Sequence, residues 1–374
     1  MSNALKTQGK KNNYKEGTMK KQILLMCLMF CLVSLAVAEE PIGVFANSNT
    51  NCIQFINPLT QVVSPSLLKG TLGSYGGGLF DVVITPNGKT AIVSNFGDSK
   101  LFFIDISGGF EVAPTLLGQV RVGFFAEDMA ITPDGKYVLV TDGGFASRIA
   151  VIDIAGQYVV NSPNFPGVYS NAVAIAPNGT TVLTADYFQG KINQFTFNSE
   201  DGTLAFVHAF YVLPTRPVNV EISPDGQTAI AVSATGYKHP VFSLCPTNVV
   251  FTGFVTVAHK SGQSCVFSKD GTKAYVLSNS TYYRAMIEVL DVTGPGLVTA
   301  SGVSIPARPM KGTSQLFGVD TIAIDPAGFY LYVANPTLSG GVQRISIIDL
   351  AVNAQVNYIQ GNGIPTGIAF ATIE

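Results

Sequence analysis

Ile131-Thr132-Pro133-Asp134-Gly135, followed at once by Tyr137-Val138-Leu139-Val140-Thr141-Asp142, is the stretch on which the fold turns. Proline pre-sets φ and glycine supplies a left-handed position, so the first five residues form a tight turn. The β-branched, apolar run behind them reads as a strand, and Ile149-Ala150-Val151-Ile152-Asp153 as the next one. The same turn stands at Ile84-Thr85-Pro86-Asn87-Gly88, Ile175-Ala176-Pro177-Asn178-Gly179 and Ile222-Ser223-Pro224-Asp225-Gly226. Looser copies follow at Phe267-Ser268-Lys269-Asp270-Gly271 and Ile324-Asp325-Pro326-Ala327-Gly328. The lead residues lie 47, 44, 47, 45 and 57 apart. A period near 45 with several short strands in each unit predicts an all-β propeller.

One unit supplies one blade. In the first, 81–84 is the innermost strand, 91–95 the second, 101–106 the third, and a weaker fourth lies near 116–122. The chain ends give the blade count. Gly367-Ile368-Ala369-Phe370 reads as an innermost strand with nothing after it to complete a blade. Val44-Phe45-Ala46-Asn47 matches Tyr332-Val333-Ala334-Asn335, and 52–57 matches 344–349. We therefore expect seven four-stranded antiparallel blades, the last closed by N- and C-terminal strands. Such closure leaves no free blade edge in the ring.

Residues 19–38 read as a secretory signal: Lys20 and Lys21, an apolar run over 23–35, and Ala36-Val37-Ala38 before Glu39. The run falls short of the roughly 20 residues of a membrane span. The expected organisation is a polar extension at 1–18, the signal at 19–38 and the propeller at 39–374, in an exported protein, periplasmic or secreted, with no span after cleavage. Across the 374 residues the net charge is −2 and only 12% are charged, which gives no basic surplus for nucleic acid. Cys52, Cys245 and Cys265 remain after cleavage. The odd count leaves at least one free thiol, and buried, unpaired cysteines are the favoured reading over a Cys245–Cys265 bridge.

Pro-Asp-Gly-Lys-Tyr-Val at 133–138 and Tyr-Val-Ala-Asn at 332–335 resemble the YVTN-type β-propeller repeat family. The resemblance spans about 41–374 and implies the fold rather than an activity. The short hairpin Phe197-Asn198-Ser199-Glu200-Asp201-Gly202-Thr203-Leu204, with Arg216-Pro217 beyond it, is similar to the lactonase-like seven-bladed propellers. That second likeness implies a hydrolase with His and Arg around the channel, and no His stands at any of the seven innermost-strand starts.

Two sets of residues stand out. Loops between second and third strands carry Phe96, Phe145, Tyr187 with Phe188, Tyr237, and Tyr282 with Tyr283, with Arg148 and Arg284 among the basic groups beside them. Aromatic and Arg side chains anchor binding surfaces, so these are candidates for a protein, peptide or glycan partner on the channel-mouth face. Near the innermost strands, Asp81, Asp128, Asn219 and Glu221 offer oxygen ligands for a divalent cation such as Ca²⁺. The same groups also serve strand ends and channel water, and we expect no cofactor. No Gly-x-Ser-x-Gly elbow or phosphate loop appears. The reading is a monomeric, non-catalytic binding or scaffold propeller. The alternative is a lactonase-like hydrolase with an acidic, metal-assisted channel site.

Overall fold

The structure, a computed structural model, describes residues 40–74, 78–144, 147–245, 248–279, 285–307, 321–335 and 344–373. The signal-like stretch and Phe145, Tyr282, Tyr283 and Arg284 lie outside these residues. The propeller occupies Pro41–Ile373. Among the described residues are seven four-stranded antiparallel sheets and no helix, hence none long and apolar enough to cross a membrane.

Blade 1 runs from Leu79–Ile84 through Thr90–Asn95 and Lys100–Asp105 to Thr115–Arg121. Blades 2 to 6 repeat that order in sequence. Blade 7 is built from both ends: Pro365–Ile373 pairs with Glu40–Asn47, followed by Cys52–Asn57 and the two-residue Val62–Val63. Ser48 N donates to Ile364 O at 2.9 Å, tying the junction. Each innermost strand neighbours that of the next blade, and the last neighbours the first, so the ring closes.

The turn repeat has one hydrogen-bonding scheme. Thr132 Oγ1 donates to Asp134 Oδ1 at 2.5 Å, Lys136 N donates to the same oxygen at 3.0 Å, and Tyr137 N donates to Thr132 Oγ1 at 3.0 Å. Ser223 with Asp225 and Ser268 with Asp270 repeat it. Gly135 sits at φ +70°, where a side chain is strained. In blade 6, Ala327 lacks the acceptor, and Asp325 replaces the hydroxyl. Its Oδ1 accepts from Phe329 N and Tyr330 N at 2.8 and 2.7 Å.

Both faces of each sheet are covered by neighbouring blades. Hence the second strands Tyr137–Asp142 and Thr228–Ser233 are buried at every position rather than alternating with solvent. The core is divided among the gaps between blades. Ile92, Leu101 and Phe103 of blade 1, for example, meet Met129, Val138 and Val140 of blade 2.

The innermost strands carry bulges near their starts, between Leu79 and Val82, Ala126 and Met129, Pro217 and Asn219, and Gly262 and Ser264. A hydroxyl on the second strand repairs the ladder there. Asp81 N donates to Ser94 Oγ at 3.0 Å and Asp128 N to Thr141 Oγ1 at 3.1 Å. The same hydroxyls reach the next blade, donating to Glu127 O and Asn171 O, both at 3.3 Å. Asp128 adds a second link, its Oδ2 accepting Val173 N of blade 3 at 2.7 Å.

The cysteines depart in part from expectation. All three are free, and Cys52 and Cys265 are buried, but Cys245 is exposed. It is the last residue of the strand Lys238–Cys245.

Candidate functional site

Chain direction sorts the loops. Innermost strands begin, second strands end and fourth strands end on one side of the ring, the loop face. The repeated Pro-Asx-Gly turns lie on the other, the turn face. Phe96, Arg148, Tyr187, Phe188 and Tyr237 all follow second strands or open third-strand hairpins, so all belong to the loop face.

Their loops are shaped by the residue that closes each second strand. Asn95 Oδ1 accepts Asp98 N at 3.0 Å, Asp142 Oδ1 accepts Gly144 N at 2.9 Å, and Asp186 Oδ1 accepts Gln189 N at 2.9 Å. Asp186 also accepts Tyr169 N at 3.2 Å and faces Lys191 at 3.8 Å. Burial nevertheless raises its pKa, with these bonds and the Lys191 charge opposing the rise.

Side chains of four blades then join into one patch. Phe96 lies between Phe80, at 5.2 Å between ring centroids, and Phe125, stacked at 4.8 Å. Phe125 is 46% exposed, so the stack opens to solvent. Gly143 lies over its edge. A Cβ there would meet Phe96 Cε2 at 2.6 Å and Glu127 Oε2 at 2.8 Å, so only glycine allows that approach. Beneath it, Glu127 Oε2 accepts Asn171 Nδ2 at 3.4 Å, and Asn171 Oδ1 accepts Tyr187 N at 3.3 Å. Arg216 donates to the carbonyl oxygens of Tyr187, at 3.3 Å, and Phe188. Tyr187 and Phe188 meet edge to face at 5.4 Å, with Tyr169 beyond at 6.0 Å.

Glu127 is the electrostatic centre of this patch. Burial pushes its pKa well above the ordinary carboxyl value, Asn171 opposes the shift, and the neighbouring Asp142 adds to it. Glu127 and Asn171 stand beside the innermost-strand starts, one residue before Asp128 and Ala172. Phe80, Phe125, Gly143 and Asp142 were not singled out, since only blade packing brings them together. Tyr237 and Arg148 are exposed on the same face but stand outside the contacts of this patch. Lys238, next to Tyr237, lies over the Phe254 ring at 5.7 Å.

The proposed cation ligands divide. Asp81, Asp128 and Asn219 lie buried in one tier of the innermost strands. Glu221 stands two residues further toward the turn face and lines a cavity with residues of blades 5 to 7. Among the described residues, no three His, Cys, Asp or Glu side chains converge as a metal site.

One histidine arrangement was invisible in the sequence. His259, just before the innermost strand Gly262–Phe267, is hydrogen-bonded through Nδ1 to Glu288 Oε1. Its backbone N donates to the same oxygen at 2.9 Å, while Ser304 Oγ donates to Glu288 Oε2 at 2.8 Å. The His259 ring is 29% exposed against 6% for Glu288, so a buried carboxyl orients a solvent-facing imidazole. Residues 29 apart in sequence gave no motif by which to find the pair.

No protein-family model matches the chain, and none of the curated proteins compared with it does. Solved structures do. A protein of unknown function from Desulfotomaculum acetoxidans superposes with a TM-score of 0.77 at 18% identity, over 89% of this chain and 99% of that one. The Pseudomonas aeruginosa periplasmic gluconolactonase gives 0.69 at 16% identity over 89% and 100%. A Bacteroides fragilis protein, provisionally assigned as a 6-phosphogluconolactonase, gives 0.69 at 17% over 90% and 99%. At such identities the likeness extends to the fold: the chain is a seven-bladed β-propeller, similar in shape to proteins that include a gluconolactonase.

Proposed function

We propose that the chain is an exported, non-catalytic propeller that binds a polyhydroxylated, sugar-like ligand on its loop face. The observation that carries this reading is the continuous patch from Phe80, Phe96 and Phe125 through Glu127 and Asn171 to Tyr187, Phe188 and Arg216. Flat rings offer apolar surface to the C–H face of a sugar ring, and the half-buried Arg216 guanidinium suits its hydroxyls, with Glu127 and Asn171 bracing the patch from beneath. The signal-like order at 19–38 and the periplasmic gluconolactonase among the similar structures support export. The YVTN-like repeats at 133–138 and 332–335 are compatible with a binding propeller. The test is a glycan and sugar-acid array followed by titration calorimetry. Phe96→Ala and Phe188→Ala are expected to weaken binding by about tenfold each, the effect of losing an aromatic anchor, with the melt nearly unchanged. Binding that survives both changes would count against the patch.

A second reading, hydrolysis of a sugar lactone, is favoured by His259. An imidazole held by a carboxyl through Nδ1 presents Nε2 as a general base for water. Lactone turnover with and without Ca²⁺, Mg²⁺ or Zn²⁺, abolished by His259→Ala, would replace the binding reading with this one.

A further inference from the structure

The net charge of −2 hides a separation of charge across the ring. In blades 2 to 4 the acidic side chains at the loop face are buried: Glu127, Asp128, Asp142 and Asp186 are each 4% exposed or less. Asp134, Asp153, Glu200 and Asp225, which reach solvent, stand in or beside the turns and hairpins of the opposite face. The loop face has the reverse balance. Arg148 directly precedes the third strand of blade 2, Lys238 begins that of blade 4, and Lys260 lies in the link from blade 4 to blade 5. All three are exposed. Among the described residues none of them forms an ion pair, and the Lys238 ammonium lies only over the Phe254 ring.

Between these cations the face carries exposed apolar side chains. Phe125, Phe188, Tyr211, Leu213 and Tyr237 are 43 to 67% exposed, and all but Leu213 are rings. Apolar surface left open in this way marks an interaction site. A face whose solvent-facing charges are positive attracts an anion and repels a cation. Arg148 and Lys238 belong to blades with a whole blade between them. A single small anion does not bridge them, whereas a chain that repeats a negative charge along its length does. The rings between the charges suit the C–H faces of successive sugar units better than an aliphatic lipid interior.

Building on the sugar-binding reading of this face, we infer that the loop face of blades 2 to 4 binds an acidic polysaccharide, a chain of uronate-type sugars with its rings against Phe125, Phe188 and Tyr237 and its carboxylates toward Arg148, Lys238 and Lys260.

Titration calorimetry with hexamannuronate and its neutral counterpart mannohexaose tests it, since the two differ in charge alone. Both should bind, hexamannuronate tighter by about tenfold, three exposed charge contacts each giving about a factor of two. That advantage should fade as salt is raised. Replacing the three cations together, Arg148→Gln, Lys238→Gln and Lys260→Gln, should bring hexamannuronate down to the level of mannohexaose and leave mannohexaose and the melt unchanged. Lys89→Gln, on the turn face, should change neither ligand. Equal binding of the two hexamers would overturn the acidic assignment while leaving the sugar-binding reading in place, and binding of neither would overturn both. A preference for hexamannuronate that persists in the triple variant would refute the role of these cations. Capture of phosphatidylglycerol vesicles through the same three residues, without binding of hexamannuronate, would assign the face to a lipid surface instead.

Discussion

Replacing His239 by asparagine should remove a large part of the acid sensitivity of this fold. His239 lies fully buried in the third strand of blade 4. Its Nδ1 accepts Ser233 N at 3.0 Å, so the ring proton sits on Nε2, which has no hydrogen-bond partner. Burial lowers its pKa from 6.5 to about 4. The folded ring therefore stays neutral where the unfolded chain takes up a proton. The stability tied to neutrality is present in full above pH 6.5 and is lost as pH falls from there to about 4. At about 1.4 kcal/mol per pH unit, the loss is about 3 kcal/mol, a large share of the 5–15 kcal/mol typical of a domain. Asparagine can keep an acceptor for Ser233 N but cannot titrate. At pH 7 the variant should be less stable by about 1–3 kcal/mol, because ring atoms leave a cavity beside Gly262 and Val232. The deficit should shrink and then reverse as pH falls. Denaturant melts of both proteins at pH 7.5, 6, 5 and about 4 would measure the difference. A stability gap constant across that range would refute the reasoning, since it would mean that the ring titrates alike in folded and unfolded chains.

Glu127→Gln should behave oppositely. With its pKa raised in the fold, Glu127 contributes most stability below the ordinary carboxyl range and loses it as pH rises through the folded value, so the variant should gain on the parent between pH 4 and 8. A gap that does not widen would show that the buried carboxyl ionises normally. Asp128→Ala leaves Val173 N without its acceptor in a buried gap between blades, at a cost of about 1–3 kcal/mol; an unchanged melting temperature would show that link to be dispensable. Removing 363–374 takes away the innermost strand of blade 7 and should destabilise the entire ring in one cooperative transition, visible by calorimetry as a loss or steep lowering of the single peak.

The ring architecture was legible in the chain because a propeller is a local code repeated. Turn chemistry at Pro133-Asp134-Gly135 and its copies acts over five residues, and the apolar runs between them need only pair with their sequence neighbours. Even closure of blade 7 could be read, from incomplete units at both ends. The loop-face location of Phe96, Tyr187 and Tyr237 followed from the same periodicity. What those residues touch did not. The stack of Phe96 on Phe125, the bond from Asn171 to Glu127 and the bond from Arg216 to Tyr187 cross from blade to blade, between residues 29 to 44 apart, where no local pattern reports distance. The His259–Glu288 pair depends on a loop folding back onto the strand of the following blade. Glu221 was grouped with Asp81, Asp128 and Asn219 by offset alone, yet a two-residue step along a strand moves a side chain about 7 Å toward the other end of the channel. Short-range turn and strand propensities determined the blades and their number; packing between blades, which no periodicity encodes, decided which side chains meet.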